Sequence, residues 1–372
     1  MNEYDIALMF ERIELKLIEK LRKRLEKYVP KQKIENMTDE DWNLWQIECL
    51  KGLHNFKKAN EKWFKTDCND LNRATDDLLR QEYINGLNIE EKAILGQIRK
   101  GVSIPNPKPL TASFFKPSSP KINALCEEIV GKMEQVETAI LRQANDLYRT
   151  TIQNAQLYRG AGAGTTWDAV DMAVGDFTKK GVFYAEYKDG KHINIGSYSE
   201  MAVRTGNKRA NNIGKAEVRK EHGLHLVLVS AYAMCSPTCL PHQGKVHCDD
   251  VNNEPTQEEL EKYPRLSEAV SKGLFHPNCR HGTTTWIEGS GQSIPKIDKT
   301  SKEITEAYEL EQEQRYNERQ IRKWKKNEEL ALTDTRKQQC RAKVKEWQNR
   351  NKEFCRDNNL RRDYAREKVR VK

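Results

Sequence analysis

The sequence predicts an α+β protein with a helical amino-terminal region, a small central β-sheet module carrying a zinc-stabilised loop cluster, and long basic carboxy-terminal helices. Three observations lead there. Apolar residues recur at spacings of three and four near the amino terminus and again over 121–157, as on helices with one buried face. The middle third instead holds short β-rich runs joined by an Asp-Gly pair. Cysteines and histidines crowd into two short segments that follow those runs. Of 372 residues, 37% are hydrophobic and 32% charged, enough chain for two or three domains but little core material for its length. The expected order is an N-terminal helical bundle over 1–100, a Pro-rich linker or arm over 101–120, a central α+β module over 121–290 and a basic helical tail over 291–372.

In the first segment Ile6, Met9, Phe10, Ile13, Leu17, Leu21 and Leu25 form one helical stripe, closed by Pro30. From Thr38 to about Gly96 shorter helical pieces are expected, with Thr38 and Asp39 as caps ahead of Trp42, Trp45 and Ile47, then Trp63 and Phe64, then Leu71, Leu78 and Leu79. Residues 101–120 contain five prolines and cannot continue a helix. Phe114 and Phe115 either anchor this arm on a neighbouring surface or cover their own domain. Helix returns over 121–157, where Ile122, Leu125, Ile129, Met133, Val136, Ile140, Ala144, Leu147 and Tyr148 make the longest clean stripe.

The run VFYAEYKDGKHINIG reads as a hairpin turned at Asp189-Gly190, a pair that tolerates the positive φ of a tight turn. A polar helical stretch over 198–223 precedes the apolar run LHLVLVSAYAM, expected as a buried strand beside that hairpin. Residues 289–300 read as a flexible exit. Beyond Ser301 the hydrophobics Ile304, Tyr308, Ile321, Trp324, Leu330, Val344, Trp347 and Phe354 are spread too thinly for self-burial. Such a helix bridges through solvent or awaits a partner.

The segments CSPTCLPHQGKVHC (235–248) and GLFHPNCRHGTTTW (273–286) carry the chemistry. Cys235 and Cys239 form Cys-x3-Cys; His276, Cys279 and His281 form His-x2-Cys-x-His. Short ligand groups on two turns, a few tens of residues apart, suit a structural zinc site, because thiolates and imidazoles satisfy the tetrahedral preference of Zn2+. The expected ligands are Cys235, Cys239, Cys279 and His276, with His281 as the substitute fourth and His242, His247 and Cys248 as spares. Without an ion the same groups would be core thiols and turn-fixing imidazoles. A catalytic zinc keeps a position open and has a carboxylate shuttle, as in His-Glu-x-x-His, and Glu221-His222 does not continue that way. HPNCRH leaves a treble-clef or His-Asn-His nuclease, zinc-supported and acting on DNA, as the enzymatic alternative. GAGAGTTW (160–167) lacks the lysine of a phosphate loop and reads as a hinge, and Ser230, His225 and Asp249 lack a nucleophile elbow.

The net charge is +9, and residues 301–372, with 21 basic and 14 acidic side chains, supply +7 of it. Arg315, Arg319, Arg322, Lys323, Lys325 and Lys326 surround Trp324 on a surface suited to phosphate backbone or an acidic neighbour. The acidic residues among them allow ordinary helical pairing instead, and Trp324 and Trp347 favour protein contact. No run of about 18 apolar residues occurs and MNEYDIALMFERIELKL lacks a signal-peptide order, so a soluble protein without a membrane span is expected. Nine cysteines in that setting suggest reduced thiols rather than a disulfide framework.

The order of the YKDGKHINI hairpin, SEMAVRT, EHGLHLVLVSAYAMCSPTCLPHQGK, YPRL, GLFHPNCRH and the basic YNERQIRKWKK helix resembles the phage minor capsid protein 2 family, relatives of the Mu-type minor head proteins. The resemblance covers roughly residues 120–370, and GLFHPNCRH is its most specific piece. It implies a virion component in few copies, present in the host cytoplasm during assembly, associated with the portal protein and inner capsid surface, and acting in head assembly and DNA packaging or ejection. It implies no enzyme activity. Contact with phage DNA would fall to the basic tail. The chain departs from the family in its wider first cysteine pair and in Ala231-Tyr232 where a histidine is commoner.

Overall fold

Nothing between residues 39 and 99 forces a helix to stop: no proline occurs there, and the glycines are isolated. In the computed structural model this stretch is accordingly one 61-residue helix, not the shorter pieces expected. The structure describes residues 3–27, 38–160, 166–180, 183–186 and 192–369. In chain order the elements are α1 (Glu3–Lys27), α2 (Asp39–Arg99), α3 (Pro120–Gly160), α4 (Thr166–Lys180), β1 (Tyr184–Glu186), β2 (His192–Asn194), α5 (Ile195–Glu221), β3 (Leu226–Val229), β4 (Val246–Cys248), α6 (Gln257–Lys262), α7 (Leu266–Ser271), β5 (Thr283–Thr285), α8 (Ser301–Leu330) and α9 (Asp334–Asp357). This is the expected α+β class, helices with small antiparallel sheets. Thr38 caps α2 reciprocally: its N–H donates to Asp41 Oδ2 and its hydroxyl oxygen accepts the Asp41 N–H, each at 3.2 Å. Pro30, the Asp189-Gly190 turn and residues 161–165 of the glycine hinge lie outside the described residues.

Two compact units are built from non-contiguous stretches, one from Met1–Ile6, Asn72–Lys132 and Glu200–Glu311, the other from Ala7–Leu71, Met133–Ser199 and Gln312–Lys372. The sequence reading divided the chain linearly; long helices that continue from one unit into the other give the discontinuous grouping.

In the first unit, α2, α3 and α5 share a core that includes Leu79, Tyr83, Leu87, Ile94, Ile122, Leu125, Ile129, Ala210 and Val218. Helices α2 and α5 touch backbone to backbone. A Cβ on Gly86 would overlap the Asn211 carbonyl, and one on Gly214 would overlap that of Tyr83, so only glycine fits at this crossing. The Pro-rich arm lies on the same core: Phe114 and Phe115 pack against it with their rings edge to face at 5.7 Å. The arm therefore covers its own domain. A buried polar lattice fixes these parts. The Arg219 guanidinium spans Glu90 (3.0 Å) and Asp249 (2.8 Å), and Glu90 also accepts the Thr285 N–H on β5 at 3.1 Å. His222 lies between Glu91 (2.7 Å) and the Asn106 carbonyl (2.6 Å), while Glu91 accepts the Leu110 N–H at 2.9 Å. Strand β3, buried throughout, is central in the order β4-β3-β5, antiparallel to both neighbours. Its expected partner was the hairpin. The hairpin instead forms its own two-stranded sheet, β1-β2, because β3 is paired by the chain returning from the two Cys/His segments.

The second unit is helical apart from that hairpin. It buries Phe10, Ile13, Leu17 and Leu21 of α1, Trp42, Trp45, Phe56 and Phe64 of α2, and Ile140, Leu147 and Tyr148 of α3. Tyr148 stacks on Phe56 at 5.0 Å, and its hydroxyl donates to the Cys49 carbonyl at 3.0 Å. The tail corrects the expectation of an under-packed solvated helix. Ile321, Leu330, Cys340, Val344 and Cys355 are buried, and so are the polar Gln314, Asn317, Glu318, Lys326 and Asn351, which hydropathy alone does not reveal. The Asp171 carboxylate holds the α8–α9 turn by accepting the Leu332 and Thr333 N–H groups at 2.8 Å each. No helix among the described residues is long and apolar enough to cross a membrane.

Candidate functional site

The chain leaves β3 at Val229, makes a tight loop and returns as β4. Within that loop the Ser236 carbonyl accepts the N–H groups of Cys239 (3.1 Å) and Leu240 (3.0 Å), which curls Cys235 and Cys239 onto the same side. The second loop runs from Gly273 to β5. Gly273 adopts φ +106°, and a Cβ there would press on Thr238, so the two loops meet closely at this point. Phe275 and Asn278 are left-handed, at φ 60° and 69°, and Cys279 N–H closes a turn onto the His276 carbonyl at 2.8 Å. Asn278 is held by α5: its N–H donates to the Thr205 hydroxyl (3.2 Å) and its side-chain oxygen accepts from Arg204 Nη1 (3.2 Å).

These two loops bring the sequence-predicted donors together. Cys239 Sγ lies 3.6 Å from Cys279 Sγ, Cys279 Sγ 3.2 Å from His281 Nδ1, and Cys235 Sγ 3.6 Å from His281 Nε2. Cys239, Cys279 and His281 are mutually within 4.8 Å and all buried. Cys239 is the hub, beside Cys235, Cys279, His276 and His281, and hydrogen bonds from Cys235 and Cys279 chiefly hold its thiol well below the usual range. Hydrogen bonding to that thiolate pushes Cys235 and Cys279 up in turn. His276 Nδ1 donates to the Pro277 carbonyl at 2.7 Å, which leaves Nε2 to accept from the Ser236 hydroxyl at 2.8 Å. His281, 3% exposed, is the imidazole inside the cluster, whereas the sequence ranked it behind His276. The spares bond locally: Cys248 Sγ donates to the Glu259 carbonyl at 3.0 Å, and His247 Nδ1 to that of Lys245 at 3.3 Å. The discounted triad is also separated, with His225 on Glu259 at 3.0 Å and Asp249 on Arg219.

The second set of candidates, on α8, faces inward more than expected. Lys326 is 5% exposed and its Nζ sits 2.6 Å from Glu14 of α1. That removes it from any phosphate-binding surface. Arg322 Nη1 donates to the Arg366 carbonyl at 2.7 Å, and Lys325 Nζ to that of Glu367 at 2.8 Å. Arg319 lies 6.0 Å over the Tyr316 ring, and Arg315, Lys323 and Trp324 are partly buried. The missed signal is in α1, where Glu11 and Glu14 interrupt an apolar face and so mark buried acids needing a cation. Ser236, Gln243, Arg204 and Thr205, which support the donor loops, were also missed, since nothing in their spacing marks them.

Comparison with known proteins finds relatives among phage structural proteins. The chain is 22% identical over 350 residues to a "Structural protein" of Lactococcus phage LL-H, covering 90% of this chain and 91% of that one. It is 30% identical over 116 residues to a "Structural protein" of Lactococcus phage mv4, which is 29% of this chain and 93% of the relative. No solved structure matches it. The family model described as phage minor capsid protein 2 matches residues 3–356, nearly the whole chain, and the chain belongs to that family.

Proposed function

We propose that this chain is a virion component that docks on the portal protein and the inner capsid surface and acts in head assembly and in packaging or ejection of the genome. The observation that carries the reading is family membership across residues 3–356. It supports a place in the virion, and on this reading the protein is in the host cytoplasm while heads assemble. The loop 231–244 supports a docking role. Tyr232 and Met234 expose 39% and 43% of their surface there, and Ile294, at 45%, lies near Ala231 beside Gly244. Apolar side chains displayed on a loop braced by a sheet suit contact with another protein. DNA has a smaller place in this reading, because Arg322, Lys325 and Lys326 are engaged within the protein. The nuclease alternative is disfavoured by His281, buried against thiols, and by His276, whose ring nitrogens are taken by Pro277 and Ser236.

The test is mass spectrometry of purified virions and proheads, with co-purification of the portal protein from infected cells. Presence in both particles and retention of the portal are expected. Absence from proheads and virions overturns the reading, and plasmid cleavage with Mg2+, Mn2+ or Zn2+ that is abolished by His276→Ala establishes the nuclease.

A further inference from the structure

We propose that Cys235, Cys239, Cys279 and His281 bind one Zn2+ in a closed structural site that locks the 235–244 loop to the 273–281 loop, with His276 outside the coordination sphere as a positioning residue. The argument rests on these side chains and is independent of the portal reading.

Distances come first. A tetrahedral zinc with Zn–S of about 2.3 Å and Zn–N of about 2.05 Å separates two sulfurs by ~3.8 Å and a sulfur from a nitrogen by ~3.6 Å. Cys239 and Cys279 are 3.6 Å apart, and Cys279 Sγ lies 3.2 Å from His281 Nδ1. Cys239, Cys279 and His281 thus match two edges of such a tetrahedron to within a few tenths of an ångström, and Cys235, 3.6 Å from the far side of the His281 ring, is the nearest remaining thiol to complete it. The His281 ring stands among the sulfurs, with Nδ1 3.2 Å from Cys279 Sγ and Nε2 3.6 Å from Cys235 Sγ, and Gln243 Oε1, 3.3 Å from Nε2, is an acceptor of the kind that fixes the tautomer of a ligating imidazole.

Packing alone does not explain the grouping. All nine cysteines are free and buried. The others bury their thiols separately: Cys248 donates to a carbonyl, and Cys126 lies in the α2–α3–α5 core. Only Cys235, Cys239 and Cys279 face one another and an imidazole among the described residues, in a pocket walled by Val227, Val229, Leu266, Ala269, Leu274 and Ile304. Three buried thiols turned toward one another and an imidazole are a donor set that a shared Zn2+ satisfies. The second loop also carries two non-glycine residues in the left-handed region, Phe275 and Asn278, a conformation that persists only where the surroundings over-determine it, and Thr205 and Arg204 hold Asn278 there. Coordination through Cys279 and His281 would constrain the same loop a second time. Four protein donors complete the zinc sphere, so no position remains for a substrate or an activated water.

His276 has a different part. Its Nδ1 is bound to Pro277 and its Nε2 takes the Ser236 hydroxyl, which pins the first loop through the residue beside Cys235.

The full chain, purified without chelator, is expected to hold one zinc by elemental analysis. Exchange with Co2+ should give the visible bands of a tetrahedral site and the near-ultraviolet absorption of three thiolates. Cys239→Ser and Cys279→Ser should lose the metal. His281→Ala should weaken Co2+ binding by at least tenfold, and His276→Ala should keep both stoichiometry and spectrum. The Co2+ spectrum of the unaltered chain decides the matter even if a cysteine variant fails to fold. A chain with less than a tenth of an equivalent of zinc, no tetrahedral Co2+ spectrum under reducing conditions and an unchanged Tm in chelator overturns the site. A His276→Ala variant that loses metal while His281→Ala keeps it overturns the ligand assignment.

Discussion

Replacing Arg219 by Met tests the buried lattice of the first unit most directly. Arg219 is 1% exposed and forks between Glu90 and Asp249, whose side chains are 2% and 0% exposed. The variant keeps most of the apolar volume but leaves both carboxylates in the interior without their cation. Removing one partner from a buried pair costs about 3–5 kcal/mol. Two acids lose the same partner here, so the expected loss is near the upper figure, roughly 10–20 °C in the Tm of a unit of this size. Lys delivers one compact charge where Arg delivers two spaced donors, so Arg219→Lys should fall between the variant and the native protein. Replacing all three residues by uncharged near-isosteres should recover much of the loss, because the unpaired charge, not the absent bond, is the main penalty. Denaturant unfolding measures the magnitude, and hydrogen exchange at β5 and the end of α5 locates it. A variant Arg219→Met within 1 kcal/mol of the native protein, with the Thr285 amide still protected, would refute the reasoning.

Three further outcomes follow from the packing. Glu318 is 3% exposed and burial pushes its carboxyl up to about 7, against opposing Arg366, Arg315 and Arg322. The folded state therefore holds a proton that the unfolded chain releases near pH 4.5, so stability falls by up to about 3 kcal/mol as pH rises from 4.5 through 7; Glu318→Gln should flatten this slope in urea titrations at several pH values. Gly214→Val should disrupt the α2–α5 crossing by several kcal/mol, seen as a lowered Tm, whereas Gly131→Val, which meets no neighbour, should lose only about 1 kcal/mol or less. Asp171→Ala removes the acceptor for Leu332 and Thr333 and should cost about 1–3 kcal/mol, with faster hydrogen exchange at those two amides and in the first turn of α9.

The legible parts of the fold were those with a period or a punctuating residue. The stripe of α3, the Thr38 cap and the five prolines of the arm all translate directly into local structure. The length of α2 was misread because its aromatic clusters are spaced unevenly, although nothing breaks the backbone between them. Strands β4 and β5 are three residues each and owe their existence to β3, so no local signal could announce them. The tail was misread for an electrostatic reason. Lys326 looks like a solvated cation until Glu11 and Glu14 of α1, more than three hundred residues earlier, are placed against it at 3.6 and 2.6 Å. At the candidate site the donors were legible because residue type and spacing carry chemistry, but the choice between His276 and His281 depends on which ring points inward. That is set by Ser236 and Gln243, whose roles exist only in three dimensions.

Helix α5 explains why donor loops and arm belong to one mechanical unit. Arg204 and Thr205, a few turns into the helix, hold Asn278 in its left-handed conformation, and Asn278 sits beside Cys279. At the other end Arg219 reaches β5 through Glu90, and His222 fixes the arm at Asn106. Gly206 and Gly214 let the same helix seat closely in between, against Leu79 and the backbone of Tyr83. A force applied to the exposed loop around Tyr232 and Met234 therefore passes into a helix anchored along its length, not into a flexible segment. A loop that merely surrounds a reaction needs freedom to admit and release ligands; the docking proposed above asks for a held loop instead, and these anchors suit it.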